Sequence, residues 1–260
     1  MKLNVTLIAH TVLTNEFYRE ARISDFASTD DEYALDRAAI ALTAIRTCYS
    51  PLKPTEIVAK EGAKYFGNSA SDGEGGTDAD RLFRHITRSG HTSTLEHITY
   101  TFAIEGVSRA LLAQLTRHRH LSFSVQSQRY VRMGSSDKIG GMDYVTPPSA
   151  TSDKLRNAGT LFEESAADIY AEAMADAQNA YDRLREVGVP PEDARMVLPN
   201  AAACNLVMTG NLRTFLDFYA KRRPGNGAQW EIADLAVKLR DEIVKVDPWL
   251  APYFSEKEAV

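Results

Sequence analysis

Residues Arg117-His118-Arg119-His120-Leu121-Ser122-Phe123-Ser124-Val125-Gln126-Ser127-Gln128-Arg129 form the most distinctive run in this chain. Widened to residues 106–136, the window holds five arginines and two histidines, with no lysine, aspartate or glutamate. At the chain's average acid content, those positions would carry roughly four carboxylates. The depletion stands out because the whole chain is acidic, at formal charge −5. Arginine without lysine points to planar, forked recognition, since a guanidinium grips phosphate or a carbonyl edge through two parallel bonds. The interspersed serines and glutamines add short neutral donors and acceptors suited to a base or sugar. The run therefore reads as a pocket for a phosphorylated, nucleotide-like ligand. Two other readings compete with it, a solvated basic face and a nucleic-acid surface. Against the first, the apolar helix Ser108–Leu115 leads in and delivers Gln114 and Arg117 from a buried element. Against the second, the pI of 5.7 leaves little room for an extended basic surface, so no nucleic-acid partner is expected.

The rest of the composition is that of a globular chain of 260 residues able to bury one large core or two small ones. No apolar run reaches 18 residues, so no membrane partner is expected. The first ten residues are too polar for a signal peptide, and Leu3, Val5 and Leu7 alternate as in a half-buried strand. Cys48 and Cys204 lack metal-type spacing and read as buried small hydrophobes in a reducing, cytoplasmic compartment.

Along the chain, residues 14–32 read as polar and irregular, followed by a helix over 33–48 that ends near Tyr49-Ser50-Pro51. Residues 67–80 form a Gly-, Ser- and acid-rich loop without the Lys-Ser/Thr ending of a phosphate-binding loop, and read as a mobile surface insertion. A helix stopping at Gly90 and a turn at His91 lead into a strand over 98–104. His91, Glu96, His97, His118 and His120 are all metal-ligand types, but no pair has the helical spacing of a zinc hydrolase, so no metal is assigned. Residues 130–132 continue as a short strand. Ser152 or Asp153 caps a long helix to about 187 whose stripe runs through Phe162, Ile169 and Tyr181. A short helix over 191–199 carries Arg195. A strand follows at 203–209, then a helix capped near Asn211 and ending at Arg222. The last helix, about 228–246, sends Trp230, Ile232, Leu235 and Leu239 into the core.

Arg117-His118-Arg119, seven residues, then Ser127-Gln128-Arg129 resembles the R-H-R-x7-S-x-R signature of flavin-dependent thymidylate synthases. Two further blocks resemble the same family. One is Gly90-His91 with Ser93 and Glu96-His97; the other runs from Arg195 through Asn211, Arg213 and Arg222 to Gln229-Trp230-Glu231. The resemblance covers 85–132 and 190–240 closely and the N-terminal third loosely.

It implies a single α+β domain over 1–260, with a small, mostly antiparallel sheet flanked by long helices. It also implies a homotetramer with FAD held in clefts shared between subunits. The implied reaction is methylation of dUMP with a carbon from 5,10-methylenetetrahydrofolate, with NADPH as reductant and no cysteine nucleophile. Gln114, Arg117, Gln126, Ser127, Arg129, Arg195 and Arg222 would hold dUMP. Ser93, Arg117, His118, Arg119, Asn211, Arg213 and Asp217 would contact FAD. Arg222, against the uracil edge, and His91 would be the catalytic pair. The chain departs from the family pattern at Val125, where some relatives have a carboxylate, at Asp217, and in the length of the 223–227 loop. A nucleotide- or RNA-binding module without turnover is the competing function, and bound FAD separates the two.

Overall fold

The computed structural model describes residues 2–26 and 35–254. In chain order the elements are β1 (Asn4–His10), α1 (Asn15–Glu20), α2 (Asp36–Thr47), α3 (Ile57–Gly67), α4 (Asp78–Arg88), β2 (Thr99–Ser108) and α5 (Arg109–Leu115). Then come β3 (Ser122–Val125), β4 (Leu155–Arg156), β5 (Glu164–Ser165), α6 (Ala166–Glu186), α7 (Pro191–Ala194), β6 (Ala203–Asn211), α8 (Leu212–Arg222) and α9 (Trp230–Val246). A 3-10 turn, Thr92–His97, joins α4 to β2. The architecture mixes helices with a small antiparallel sheet, as the resemblance implies, and its strands lie in the order β1-β2-β6-β3. Its alternating pattern turns Tyr100, Phe102 and Ile104 of β2 and Leu206 and Met208 of β6 inward.

The chain divides into two compact units, and β2 and β6 each contribute residues to both. One comprises residues 5–102, 118–122 and 208–260. Here α2 packs on α3, α8 packs on α9, and the 92–97 turn packs against both α2 and α8. Phe215 meets the rings of Tyr100 and Phe102 edge-on. A buried charge pair crosses this unit. Arg37 Nε donates to Asp247 Oδ2 over 2.5 Å, and the Tyr100 hydroxyl donates to the same oxygen over 2.6 Å. Arg37 also reaches the carbonyls of Thr11 and Val246, and the Trp249 indole N–H donates to the other carboxylate oxygen. With both charges buried, those extra partners offset a desolvation cost that the pair alone would not recover. Burial, and then the Asp247 carboxylate, push the Tyr100 phenol well above its ordinary pKa.

The other unit comprises residues 1–4, 103–117 and 123–207. Its long helix α6 buries Met174 and Tyr181, with Tyr181 in a cluster with Met133 and Ala194. Gln178 and Asp182 fasten α6 to the 133–142 segment through the backbone groups of Met133, Ser135 and Met142.

Several local expectations are corrected. The helix α6 begins at Ala166, capped by Ser165, not at Ser152 or Asp153. Upstream of it, β4 and β5 pair antiparallel across a turn in which Asn157 and Gly159 both have left-handed φ, a geometry that excludes a continuous helix. Phe162 sits at that turn and is exposed, so it is not part of a core stripe, and Ile169 is exposed too. Residues 130–132 are not a strand: Tyr130 ends a turn over 128–130, and Val131 N–H donates to the Ser127 carbonyl. A helix, α1, lies in the stretch expected to be irregular, capped by Thr14. Trp230 is the first residue of α9 and 40% exposed, although the next three residues, Glu231, Ile232 and Ala233, are buried. Cys48 is exposed and Cys204 buried. The expected start of α2 at residues 33–34 lies outside the described residues. Of the expected 67–80 loop, residues 78–80 already belong to α4; the stretch before them is tied to that helix by Arg84 on Asp72 and Arg88 on Glu74, and Thr77 closes it as a capping box.

Candidate active site

In the unit containing α8, the 92–97 turn has a cavity on each side. The residues of the turn divide between the two. Thr92, Leu95 and Glu96 line a cavity of about 520 Å³ together with Asn211, Arg213, Thr214, Asp217, Lys221 and His120. His91, Ser93, Thr94 and His97 line the other, of about 690 Å³, together with Phe17 of α1, Ile40, Thr43 and Ala44 of α2, and Cys48 just after it.

The first cavity opens on the N-terminus of α8. Asn211 caps that helix, its Oδ1 accepting from Thr214 N–H at 2.9 Å and from the Thr214 hydroxyl at 2.8 Å. The helix repeat then carries Thr214, Asp217 and Lys221 down one face, with Asp217 and Lys221 paired at 2.8 Å. Arg213 donates to Glu96 over 2.5 Å, both side chains about half exposed. Aligned backbone N–H groups, a helix dipole and Arg213 make this a favourable place for an anionic group. At the opposite end of α8, Arg222 Nε donates to His118 Nε2 over 3.1 Å, and Phe218 meets the His118 ring edge-on.

Of the residues singled out in the sequence, His118, Asn211, Arg213, Asp217 and Arg222 thus gather on or against α8. His91 and Ser93 border the second cavity, and Arg119 is exposed. In the other unit, Gln126 is locked into the sheet. Its N–H donates to the Asn205 carbonyl, and its Oε1 accepts from Asn205 Nδ2 at 3.3 Å. Ser127 Oγ accepts from Arg129 N–H at 3.2 Å. Arg129 Nε donates to the Glu192 carboxylate over 2.8 Å and its guanidinium lies over the Tyr130 ring, while Arg195 Nε donates to the Glu192 carbonyl. Gln114 and Arg117 sit at the end of α5, Arg117 exposed and its N–H donating to the Gln114 carbonyl.

Sequence reasoning missed His120, Thr214 and Lys221 as cavity residues. The i, i+3, i+4 spacing of Asn211, Thr214, Asp217 and Lys221 carried the signal for two of them. His120 had no such signal. Among the described residues, no three His, Cys, Asp or Glu side chains converge to hold a metal ion, and no helix is long and apolar enough to cross a membrane.

A sequence profile described as "Thymidylate synthase complementing protein" matches residues 32–249. The flavin-dependent thymidylate synthase of Haloarcula marismortui is 38% identical over 189 residues, 68% of this chain and 76% of that one. The protein of the same name from Clostridium tetani is 33% identical over 238 residues, 85% of this chain and 84% of that one. The one from Halobacterium salinarum is 42% identical over 183 residues, covering 66% and 74%. Among solved structures, a UMP/dUMP methylase, PolB, from Streptomyces cacaoi, crystallised with 5-Br dUMP, superposes with a TM-score of 0.66. It is 21% identical, over 100% of this chain and 97% of that one, a likeness of fold.

Proposed function

The chain belongs to the flavin-dependent thymidylate synthase family, and we propose that it converts dUMP to dTMP by reductive methylation. In balanced form, dUMP, 5,10-methylenetetrahydrofolate, NADPH and a proton give dTMP, tetrahydrofolate and NADP⁺. The flavin, FAD in this proposal, carries hydride from NADPH to the pyrimidine-bound carbon when bound.

The observation that carries the reading is the cavity at the N-terminus of α8. At the helix N-terminus, Arg213 and the side-chain amide of Asn211 supply a cation and a donor of the kind a dinucleotide pyrophosphate requires, with Lys221, paired with Asp217, further along the same cavity, so these residues fit the group. Arg213 keeps guanidinium N–H groups beyond the one on Glu96. Ser93, His118, Arg119 and Asp217 are assigned to the same cofactor on the family motif. A homotetramer with the site shared between subunits is assigned on the family resemblance.

Arg222 is assigned to the uracil edge. Its guanidinium is permanently charged, and a fixed cation beside developing negative charge at N3 and O4 lowers the barrier to attack from C5. Stabilisation by one such donor amounts to about 3–4 kcal/mol. His118 fixes the plane of that guanidinium through its Nε2. Gln114, Arg117, Gln126, Ser127, Arg129 and Arg195 are assigned to the sugar and phosphate of dUMP, where forked arginines suit a phosphate monoester. Engaging the phosphate requires Arg129 to exchange its Glu192 partner for the ligand. His91 is assigned beside the reacting carbon. Neither cysteine is assigned as a nucleophile, in keeping with the family motif; Cys204 is buried. A cytoplasmic location goes with this metabolic role.

The test is the visible spectrum of the purified protein with FAD, taken anaerobically before and after NADPH, with and without dUMP. Bleaching that quickens with dUMP is expected. A protein that takes up no FAD overturns the reading and favours a nucleotide- or RNA-binding module.

A further inference from the structure

Outside the α8 cavity, the end of α2 supplies His91 with a partner, Tyr49, that the proposed mechanism does not use. The Tyr49 hydroxyl lies 2.9 Å from His91 Nδ1, and the two rings meet edge to face with centroids 5.9 Å apart. Tyr49 does not reach His91 by chance of a loose loop. Its turn is clamped by Glu61 of α3, which accepts from Arg46 Nε at 2.6 Å and from the Ser50 hydroxyl at 2.7 Å. Arg46 thus sits three residues before Tyr49 and Ser50 one after, both on the same carboxylate. Ser50 N–H and Tyr49 N–H both donate to the Arg46 carbonyl, closing the turn tightly. The His91 backbone is pinned from the other side. Its N–H donates to the Ile86 carbonyl and its own carbonyl accepts from the Thr94 hydroxyl.

We propose that Tyr49, held by the Arg46–Glu61–Ser50 clamp, is a positioning residue that selects the tautomer of His91. A phenol is a stronger donor than acceptor, and an unprotonated imidazole nitrogen is a good acceptor, so the Tyr49 O–H donates to Nδ1. The ring proton of neutral His91 then resides on Nε2, the nitrogen directed away from Tyr49. The imidazole becomes a fixed N–H donor at the mouth of the cavity it lines with Ser93 and Thr94. Without the phenol, both tautomers are open and the ring is free to flip, and a ligand meets a donor in part of the molecules.

The catalytic relevance of this arrangement rests on the assignment of His91 beside the reacting carbon, whereas the tautomer itself does not. The experiment therefore has two readouts on one variant, Tyr49→Phe, which keeps the edge-to-face ring and removes the hydroxyl. The first is the long-range ¹H–¹⁵N correlation of histidine-labelled protein, with the His91 signals assigned by their absence in His91→Gln. The pattern expected for the unmodified protein is that of Nε2–H, and for Tyr49→Phe an average of both tautomers. Glu61→Gln, which loosens the clamp from a distance, should move the pattern the same way to a smaller extent. A His91 pattern identical in the parent and Tyr49→Phe overturns the proposal.

The second readout is dTMP formation. Tyr49→Phe is expected to lower kcat on the order of tenfold while KM for dUMP and flavin content hold, as for a misplaced reacting group. A changed tautomer with unchanged kcat overturns the functional half of the proposal. Absence of turnover in the parent protein overturns the assignment of the reaction instead, and leaves the tautomer result standing.

Discussion

Arg222 Nε donates to His118 Nε2 across 3.1 Å, joining the last turn of α8 to a histidine 104 residues earlier in the chain. Because a guanidinium keeps its protons, the imidazole must present an unprotonated Nε2, and its proton resides on Nδ1. Phe218, four residues before Arg222, holds the ring edge-on and limits its rotation. The pair therefore fixes the direction of the two remaining guanidinium nitrogens.

Removing that guanidinium should abolish chemistry while leaving the cofactor. For Arg222→Ala, dTMP formation is expected to fall at least about a hundredfold, the scale of one lost electrostatic contact in a dry site. Flavin content read from absorbance should match the parent. Turnover equal to the parent would remove Arg222 from the site.

Asn211 has two duties, and two substitutions separate them. Asn211→Ala loses the α8 cap and should cost about 1 kcal/mol in urea unfolding. Asn211→Asp caps as well as asparagine but adds negative charge to the cavity. It should keep the parent's stability and weaken FAD binding on the order of tenfold by titration, since like charges meet there. Parent-like FAD affinity in Asn211→Asp would make Asn211 a cap and nothing more.

The Arg37–Asp247 pair is a stability determinant in the same unit. Asp247→Asn strands a buried guanidinium and is expected to cost about 3–5 kcal/mol, while replacing both residues with apolar ones should recover much of it. Equal losses in the single and double variants, compared by urea denaturation, would contradict this.

Glu61 sets an acid limit. Hydrogen bonding from Arg46, and then from Ser50, holds its pKa below the ordinary 4.5 against the opposing effect of burial. A depressed carboxylate contributes stability that is full above the unfolded value and lost as pH falls through the folded one. Thermal stability of the parent should therefore decline as pH drops below about 4.5, and Glu61→Gln should start lower and decline less over that range. Parallel curves for the two proteins would exclude Glu61 as the source.

The elements around the α8 cavity were legible in the sequence because their signals are local. Strands read at 98–104 and 203–209 correspond to β2 and β6, and Asn211, read as a cap, marks the start of α8. The start of α6 was misread because helical periodicity extends upstream into residues 152–165. There, Asn157 and Gly159 adopt left-handed backbone and a hairpin wins. Trp230 was misplaced because, as the first residue of α9, it stays 40% exposed while Ile232 and Ala233 of the same turn are buried. The family motifs named the arginines but not their partners. Glu192 on Arg129, Glu96 on Arg213 and Tyr49 on His91 are set by tertiary packing at separations of 63, 117 and 42 residues, beyond any spacing rule.

The most direct measurement is dTMP formation by the purified protein supplied with dUMP, 5,10-methylenetetrahydrofolate, FAD and NADPH, followed by chromatography of the nucleotides. The account predicts dTMP and tetrahydrofolate in equal amounts, dependent on each of the four components, and undiminished when Cys48 and Cys204 are both replaced by alanine in a folded variant. Flavin bound and reduced by NADPH, yet dUMP recovered unchanged, would contradict it.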